Sequence, residues 1–515
     1  MKNISRRDFL KLALAGAGGA VLSALNSRVR PIRAALRGNQ PNIILLVLDA
    51  MTARNLSLYG YRRKTTPNFE RFAERANVYH AHYSAGNFTS PGTASILTGA
   101  YPWSHRAINM SSSAAPSFAD KHIFKLLGDK YFRLAYTQNV WANFILNPFV
   151  DSLDSYLAPG KFSAAEQVLG SAFVNDLNGA YRSYDDFMTS NSDAPGSLLF
   201  GTLERLLFRR EVDMAQHASR DYPNGLARIS NYPIVFRLSD VFDGVRQAVE
   251  SLPQPFMAYL HLWAPHAPYS PTPEFAELFK DGWKPPKKPL HPLGSGIPQS
   301  ALTLRRQAYD RYIANVDAEF GRLIDAWERR GILDTTHIIV TSDHGESFER
   351  GVDTHITPLL YETLVHIPLM ISSPGQTSRQ DFFAPTSNVD LLPTLLHLAG
   401  SDIPSWTEGR LLPGLGGVED AQRGIYAVEA KTNSAFQPLT HATFMLLKGK
   451  DKLIYNTAYG NYPEGFELFD LENDPEEITN LMNVSPKANA MKEELLAQIA
   501  LVNSRDASDP LKDIP

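Results

Sequence analysis

The chain contains no cysteine among its 515 residues. That excludes disulfide staples, thiolate metal sites and thiol nucleophiles together. Positive charge is also scarce: 50 Lys and Arg against 54 Asp and Glu give a net charge of −4 and a pI near 6.4. With no basic footprint, nucleic acid is not an expected partner. No apolar run reaches the roughly 20 residues that span a bilayer. What remains, 43% hydrophobic and 20% charged residues, is ordinary globular composition. The length allows about three domains, or one large α/β core with a small appended domain.

The N-terminus reads as an address. Ser5-Arg6-Arg7-Asp8-Phe9-Leu10-Lys11 precedes a mild apolar run from Leu12 to Leu25. The charged start and short apolar stretch form a bacterial targeting peptide, and the paired arginines resemble the twin-arginine type. Export to the periplasm or cell envelope of a prokaryote follows, with residues 1–38 as signal or anchor. Pro31-Ile32-Arg33-Ala34-Ala35 offers only half of a small-x-small cleavage site, which leaves membrane anchoring open.

Asn42 to Leu48 is a continuous apolar run ending in Asp49, the pattern of a strand buried on both faces. Thr66-Pro67 opens a helix carrying Phe69, Phe72, Ala73 and Ala76 at helical spacing. Further strands are expected at Phe256 to Leu262, His337 to Thr341 and Ile367 to Ser372, with a long helix from about Leu304 to Arg329. Alternating strands and helices imply an α/β sandwich. A polar stretch at about 151–231 reads as an insertion or lid, and Asp281 to Pro298 as a surface loop. After about Gly400 a small sheet is expected, followed by a helix from Ala488 to Asn503.

Asp49 and Asp343-His344 stand at the carboxyl ends of expected strands, where open α/β folds place their sites. Carboxylate and imidazole together suit a divalent ion: zinc, manganese, calcium or magnesium. A lone aspartate at a strand end is more often a turn or cap residue; the segment Asn87 to Gly99 shifts the balance. It delivers Thr89 to the start of a short helix stopped by Gly99, where free N–H groups favour an oxyanion. A hydroxyl placed there becomes a nucleophile when a metal lowers its pKa, although an N-cap threonine is the simpler reading.

Seven ordered blocks resemble those of the sulfatase family of the alkaline-phosphatase superfamily. They are Leu48-Asp49, Pro91 with Leu97-Thr98-Gly99, Trp263 to Tyr269, Thr341 to Glu346, Tyr361-Glu362 with His366 to Leu369, Val389 to Leu396, and Glu467 to Glu476. The resemblance implies an alkaline-phosphatase-like sandwich: a central, mostly parallel sheet between helices, with a smaller C-terminal sheet-plus-helix domain. The expected boundaries are 39–400 for the catalytic domain and 401–515 for the C-terminal subdomain.

Departures from the family pattern bear on mechanism. Sulfatases carry paired acids where this chain has Asp49-Ala50. Their formylglycine position falls on Thr89 and their signature arginine on Thr93, with Ser90 one residue off register, so formylglycine is not available. Their Lys and His after the next strand are replaced within Thr137-Gln138-Asn139-Val140-Trp141-Ala142-Asn143. The pattern resembles one-metal, threonine-nucleophile relatives: phosphoethanolamine transferases, lipoteichoic acid synthases and some phosphodiesterases.

The resemblance thus implies Asp49, Thr89, Asp343 and His344 around one divalent metal, with Thr89 and His266 catalytic. His266 and His355 would contact the ester oxygens or leaving group. His261, in a buried strand, reads as a satisfied core histidine. The expected substrate is a sulfate or phosphate ester, lipid- or glycan-linked, with a phosphodiester slightly favoured because two family cations are absent. The rival is a catalytically inactive, sulfatase-shaped binding protein of the envelope.

Overall fold

The computed structural model describes residues 40–164, 234–457 and 462–505, with 222, 224–229, 459 and the single positions 206, 209 and 213. The targeting segment and most of the expected 151–231 insertion lie outside the described residues.

Eight strands form the central sheet: β1 (Asn42–Leu48), β2 (Asn77–Tyr79), β3 (Phe132–Thr137), β4 (Ser155–Leu157), β5 (Phe256–Leu262), β6 (Thr336–Thr341), β7 (Leu369–Ser372) and β8 (Gln380–Phe382). Their order is β8-β2-β7-β6-β1-β5-β3-β4. The run β6-β1-β5-β3-β4 is parallel throughout, and β7 lies antiparallel to both β6 and β2.

β1 is the centre of this sheet, which is why its sequence is apolar without alternation. Successive side chains face opposite layers. Ile44, Leu46 and Leu48 pack with residues of α1 (Pro67–Ala73), α4 (Leu238–Glu250) and α5 (Gln299–Arg329). Ile43, Leu45 and Val47 face α2 (Thr89–Thr98), α3 (Val140–Leu146) and α6 (Leu391–Leu398). This is the expected α/β sandwich. α5 begins five residues before the expected Leu304, because Pro298 supplies an extended N-cap and Leu302 is already buried. β7 starts at Leu369 rather than Ile367; Pro368 has no N–H to give a ladder.

The C-terminal sheet is the antiparallel meander β9 (Gly424–Glu429), β10 (Thr443–Lys448), β11 (Asp451–Asn456) and β12 (Gly465–Asp470). One face packs on α7 (Ala488–Asn503) through Met491, Leu495 and Ile499. The other lies on Leu360, Leu364 and Val365 of the large domain. The Val428 N–H donates to the Ala85 carbonyl at 2.8 Å, close to the segment that leads into α2. Among the described residues, no helix is long and apolar enough to cross a membrane.

Candidate active site

Parallel register brings four strand ends together. Leu48 pairs with Leu262, Val47 with Thr341, and Thr137 with His261. Asp49, His261, Asn139 and Asp343 therefore meet at the carboxyl edge of β1, β5, β3 and β6. The chain turns sharply after β1 because Ala50 adopts a left-handed conformation, φ 57°. Its N–H donates to Asp343 Oδ1 at 3.3 Å, tying the two strand ends.

α2 brings Thr89 against this edge. A Cβ on Gly92 would stand 2.2 Å from the Asp343 carbonyl oxygen, so glycine alone lets the helix approach so closely. Phe88 occupies the N-cap in extended conformation without a side-chain cap bond, leaving the first-turn N–H groups uncapped.

Three of the buried polar atoms without a hydrogen-bond partner lie together at this edge: Asp49 Oδ1, Asp343 Oδ2 and His261 Nε2. Asp49, His261 and Asp343 each offer a ligand atom within 4.8 Å of the others. His261 Nε2 lies 3.6 Å from both Asp49 Oδ2 and Asp343 Oδ2, while its Nδ1 is 3.0 Å from the Tyr259 hydroxyl. The expectation of a satisfied core histidine is thus corrected: one nitrogen is held, the other opens onto two carboxylates. On the far side, His344 donates Nδ1–H to the Gly345 carbonyl at 2.8 Å. That leaves the Nε2 lone pair facing Thr89 Oγ1 at 3.3 Å, Asp49 Oδ1 at 3.4 Å and Asp343 Oδ2 at 3.5 Å. Unpartnered buried carboxylate and imidazole atoms in one cluster fit a divalent cation, and would be costly without one.

The charges agree with that fit. Burial works to raise Asp49, but the imidazoles of His266, His261 and His344 outweigh it and hold the carboxyl well below its usual range. Burial and the neighbouring Asp49 push Asp343 up. Burial holds His344 down to about 4 and His355 well below its ordinary value, so both rings are neutral and able to ligate or accept.

Asn139 is a site residue that the sequence did not single out. Its Oδ1 accepts from the N–H groups of Trp141 (2.7 Å) and Ala142 (3.2 Å), capping α3. The amide nitrogen is thereby aimed inward, donating to Asp49 Oδ2 and, at 3.1 Å, to Thr89 Oγ1. An Asn between a strand end and an apolar helix is a readable N-cap signal, but not a readable ligand.

His266 and His355 flank the opening. The rings form a row, with His344 4.2 Å from His355 and His355 4.9 Å from His266. Trp263 packs 4.0 Å from His266, whose Nδ1–H donates to the Ala267 carbonyl at 2.7 Å. His355 Nδ1 bonds Glu346 Oε1 at 3.1 Å, and the Tyr269 hydroxyl donates to Glu346 Oε2 at 3.2 Å. Burial pushes the Glu346 carboxyl up to about 8. All the expected site residues, Asp49, Thr89, His266, Asp343, His344 and His355, are thus brought to one place.

Comparison with known proteins decides the family. The Sulfatase family model matches residues 41–147 and 230–401, more than half of the chain. The chain belongs to the sulfatase family. Residues 357–505 match the model of the N-sulphoglucosamine sulphohydrolase C-terminal region. Among curated sulfatases, a choline-sulfatase of Rhizobium meliloti is 26% identical over 86% of this chain and 82% of its own. An arylsulfatase of Clostridium perfringens is 23% identical over 86% and 90%.

Solved structures share the fold. A protein in complex with its substrate D-glucosamine-2-N,6-O-disulfate matches with TM-score 0.63 and 20% identity, over 92% of this chain and 100% of its own. The phosphonate monoester hydrolase of Agrobacterium radiobacter matches with TM-score 0.62 and 17% identity, over 90% and 96%. This sulfatase-family chain is therefore an enzyme acting on ester bonds, in a family that uses a divalent metal. Residues 3–23 match the twin-arginine translocation signal, which marks the chain for export across a prokaryotic membrane.

Proposed function

We propose that this chain cleaves singly charged sulfuric or phosphoric esters with Thr89 as the attacking hydroxyl, in the periplasm or cell envelope. One observation carries the reading. Thr89 Oγ1 sits at an uncapped helix N-terminus, in reach of Asn139 Nδ2 and His344 Nε2, beside the unpartnered atoms of Asp49, Asp343 and His261.

Asp49, Asp343, His344 and His261 would hold one divalent cation, with Thr89 Oγ1 at its edge. When bound, the cation supplies the positive charge that acidifies a hydroxyl and neutralises an ester oxyanion. The chain supplies the rest. Asn139 donates to Thr89 Oγ1 and fixes its direction, and the N–H groups of Thr89 and Ser90 at the start of α2 receive the non-bridging oxygens. Thr89 would lose its hydroxyl proton to solvent; as its oxygen bonds to sulfur or phosphorus, the bond to the leaving oxygen breaks and that oxygen takes a proton from His266 Nε2. His266 can aim that atom because Nδ1–H is committed to Ala267. His355, oriented by Glu346, faces the same group. Water, or a second alcohol, then displaces Thr89.

A sulfate monoester and a phosphodiester both carry one negative charge. The curated relatives support the sulfate ester; the cations that the family resemblance places at Thr93 and within residues 137–143 are absent, which favours the diester slightly. Purified protein loaded in turn with zinc, manganese, calcium or magnesium should be assayed on p-nitrophenyl sulfate, p-nitrophenyl phosphate, a p-nitrophenyl phosphonate and bis-p-nitrophenyl phosphate. Metal-dependent turnover of the singly charged esters above the dianionic phosphate is expected. No turnover of any ester with any metal would overturn the reading and leave a binding protein.

A further inference from the structure

The C-terminal sheet sends one cation into the catalytic domain. Two residues beyond the end of β9, the Lys431 ammonium lies 3.0 Å from the Thr357 carbonyl, 3.3 Å from Asn87 Oδ1 and 3.3 Å from Glu429 Oε1. It also stands 4.3 Å from the centroid of the Phe88 ring. Asn87 and Phe88 are the two residues before Thr89, and Thr357 lies two residues after His355. The ammonium is thus wedged between the segment that presents the candidate nucleophile and the loop that presents His355. Asn87 Nδ2 joins the same segments, donating to the carbonyls of Thr357 and Leu359 at 2.8 and 2.9 Å.

Placing an ammonium with its side chain only 12% exposed is costly unless its charge is used. Glu429 answers it only in part, because that carboxylate also accepts from the Tyr459 hydroxyl at 2.6 Å and the Lys431 N–H at 2.9 Å. The field of Lys431 reaches His355, where it helps to hold the imidazole neutral. Thr93, at the family's arginine position, is buried with an unpartnered hydroxyl and brings no charge.

We propose that Lys431 is a substrate-binding cation of this site, its ammonium meeting a non-bridging oxygen of the ester group held at Thr89. The two longer contacts, to Asn87 Oδ1 and Glu429 Oε1, are those an ester oxygen would displace, while the shorter bond to Thr357 keeps the side chain in place. A cation from the second domain would replace the positive charge missing at Thr93 and within residues 137–143. It would also make the C-terminal sheet part of the site rather than only its support. The inference rests on Thr89 as the place of ester attack.

The test uses the full chain, metal-loaded, with Lys431→Gln and Lys431→Arg. Glutamine keeps hydrogen-bond donors for Thr357 and Asn87 but removes the charge; arginine keeps the charge. Calorimetry with inorganic sulfate and inorganic phosphate reads anion binding directly. Lys431→Gln should weaken both anions about 10- to 100-fold, as loss of a charged hydrogen bond does. It should lower kcat/KM by a similar factor, with unchanged metal content and melting temperature, and Lys431→Arg should recover most of the loss. A purely structural lysine would move the melting temperature and leave anion affinity alone. If Lys431→Gln melts early, Lys431→Met, whose straight stem fills the same channel, takes its place. Anion binding as tight in the uncharged variants as in wild type, or absent from wild type, overturns the assignment. Lys431-dependent anion binding in a protein that turns over no ester would keep this assignment while removing the proposed function.

Discussion

Asn139 donates its side-chain amide to Thr89 Oγ1 across 3.1 Å, although the two residues come from different helix starts. The direction is fixed by the other end of the amide, whose oxygen is spent on the N–H groups of Trp141 and Ala142. Asn139→Ala removes both the cap and the donor, and Asn139→Asp keeps the cap while replacing the donor with a second acid beside Asp49. A cap alone is worth about 1 kcal/mol of stability. Asn139→Ala should therefore melt slightly lower and lose about 10- to 100-fold in kcat. Asn139→Asp should hold its melting temperature and still lose turnover. Equal activity in wild type and the aspartate variant would show that the amide hydrogen has no role at Thr89.

The extent to which the sequence disclosed this site follows from what each residue type announces. Asp49 and Asp343-His344 were expected just beyond apolar strands, and the sulfatase resemblance grouped them with Thr89; the structure sets all four at one edge. His261 and Asn139 were not legible in this way. His261 lies inside such a run, and only the register that sets it beside Val47 and Thr137 shows that its Nε2 meets two carboxylates. Asn139 occupies the stretch where the family carries a Lys and a His. A departure read as the loss of a cation is also the gain of an amide. Lys431 was invisible for another reason: its approach to Asn87 depends on how the C-terminal sheet docks, which no local pattern encodes. Helix ends were legible within a few residues, α7 at both ends and α5 only at its C-terminus.

His261 separates a metal ligand from a core histidine. Its ring is fully buried, so His261→Gln keeps a polar atom of similar reach for Tyr259 but removes the imidazole nitrogen from Asp49 and Asp343. Elemental analysis should find about one divalent ion per wild-type chain, in keeping with a single cluster of ligands, and a lower content in His261→Gln after dialysis. Chelator should lower the melting temperature of wild type more than that of the variant, since binding to the native state stabilises it. Full metal retention by His261→Gln would return this residue to the core.

Acid stability should depend on buried histidines outside the proposed catalytic set. Burial pushes His82 and His105 down to about 3 and His122 down to about 4, each from an unfolded value near 6.5. Groups with depressed folded values bind fewer protons in the native state. Their stability contribution is complete above pH 6.5 and is lost as pH falls from there toward 4 for His122 and toward 3 for His82 and His105. His122 stacks on Phe149 with ring centroids 3.8 Å apart, so His122→Phe keeps the ring and removes the titration. At pH 5 the variant should gain about 2 kcal/mol relative to its difference from wild type at pH 7.5. Parallel melting curves for the two proteins from pH 7.5 to 5 would refute that assignment.

Thr89 carries the largest consequence, because every chemical step proposed here passes through its oxygen. Thr89→Ala removes that oxygen while α2 keeps its close seat on Asp343 through Gly92, so the fold and the metal cluster should survive. Turnover should fall by at least about three orders of magnitude, the scale seen when a covalent nucleophile is deleted. Thr89→Ser keeps the hydroxyl and its hydrogen bond from Asn139; the lost methyl frees the χ1 angle, so partial turnover is expected. Intact-mass analysis of wild type should show unmodified threonine, since position 89 carries neither the Cys nor the Ser from which formylglycine is made. After rapid quenching with an activated ester, a phosphoryl or sulfuryl adduct should appear on the peptide containing Thr89 if its release is slower than attack. The serine variant sharpens the test: it should form the same adduct with altered release, whereas the alanine variant should form none. Wild-type turnover in Thr89→Ala on a confirmed substrate would remove the covalent mechanism, and would leave water, oriented by the same cluster, as the attacking group.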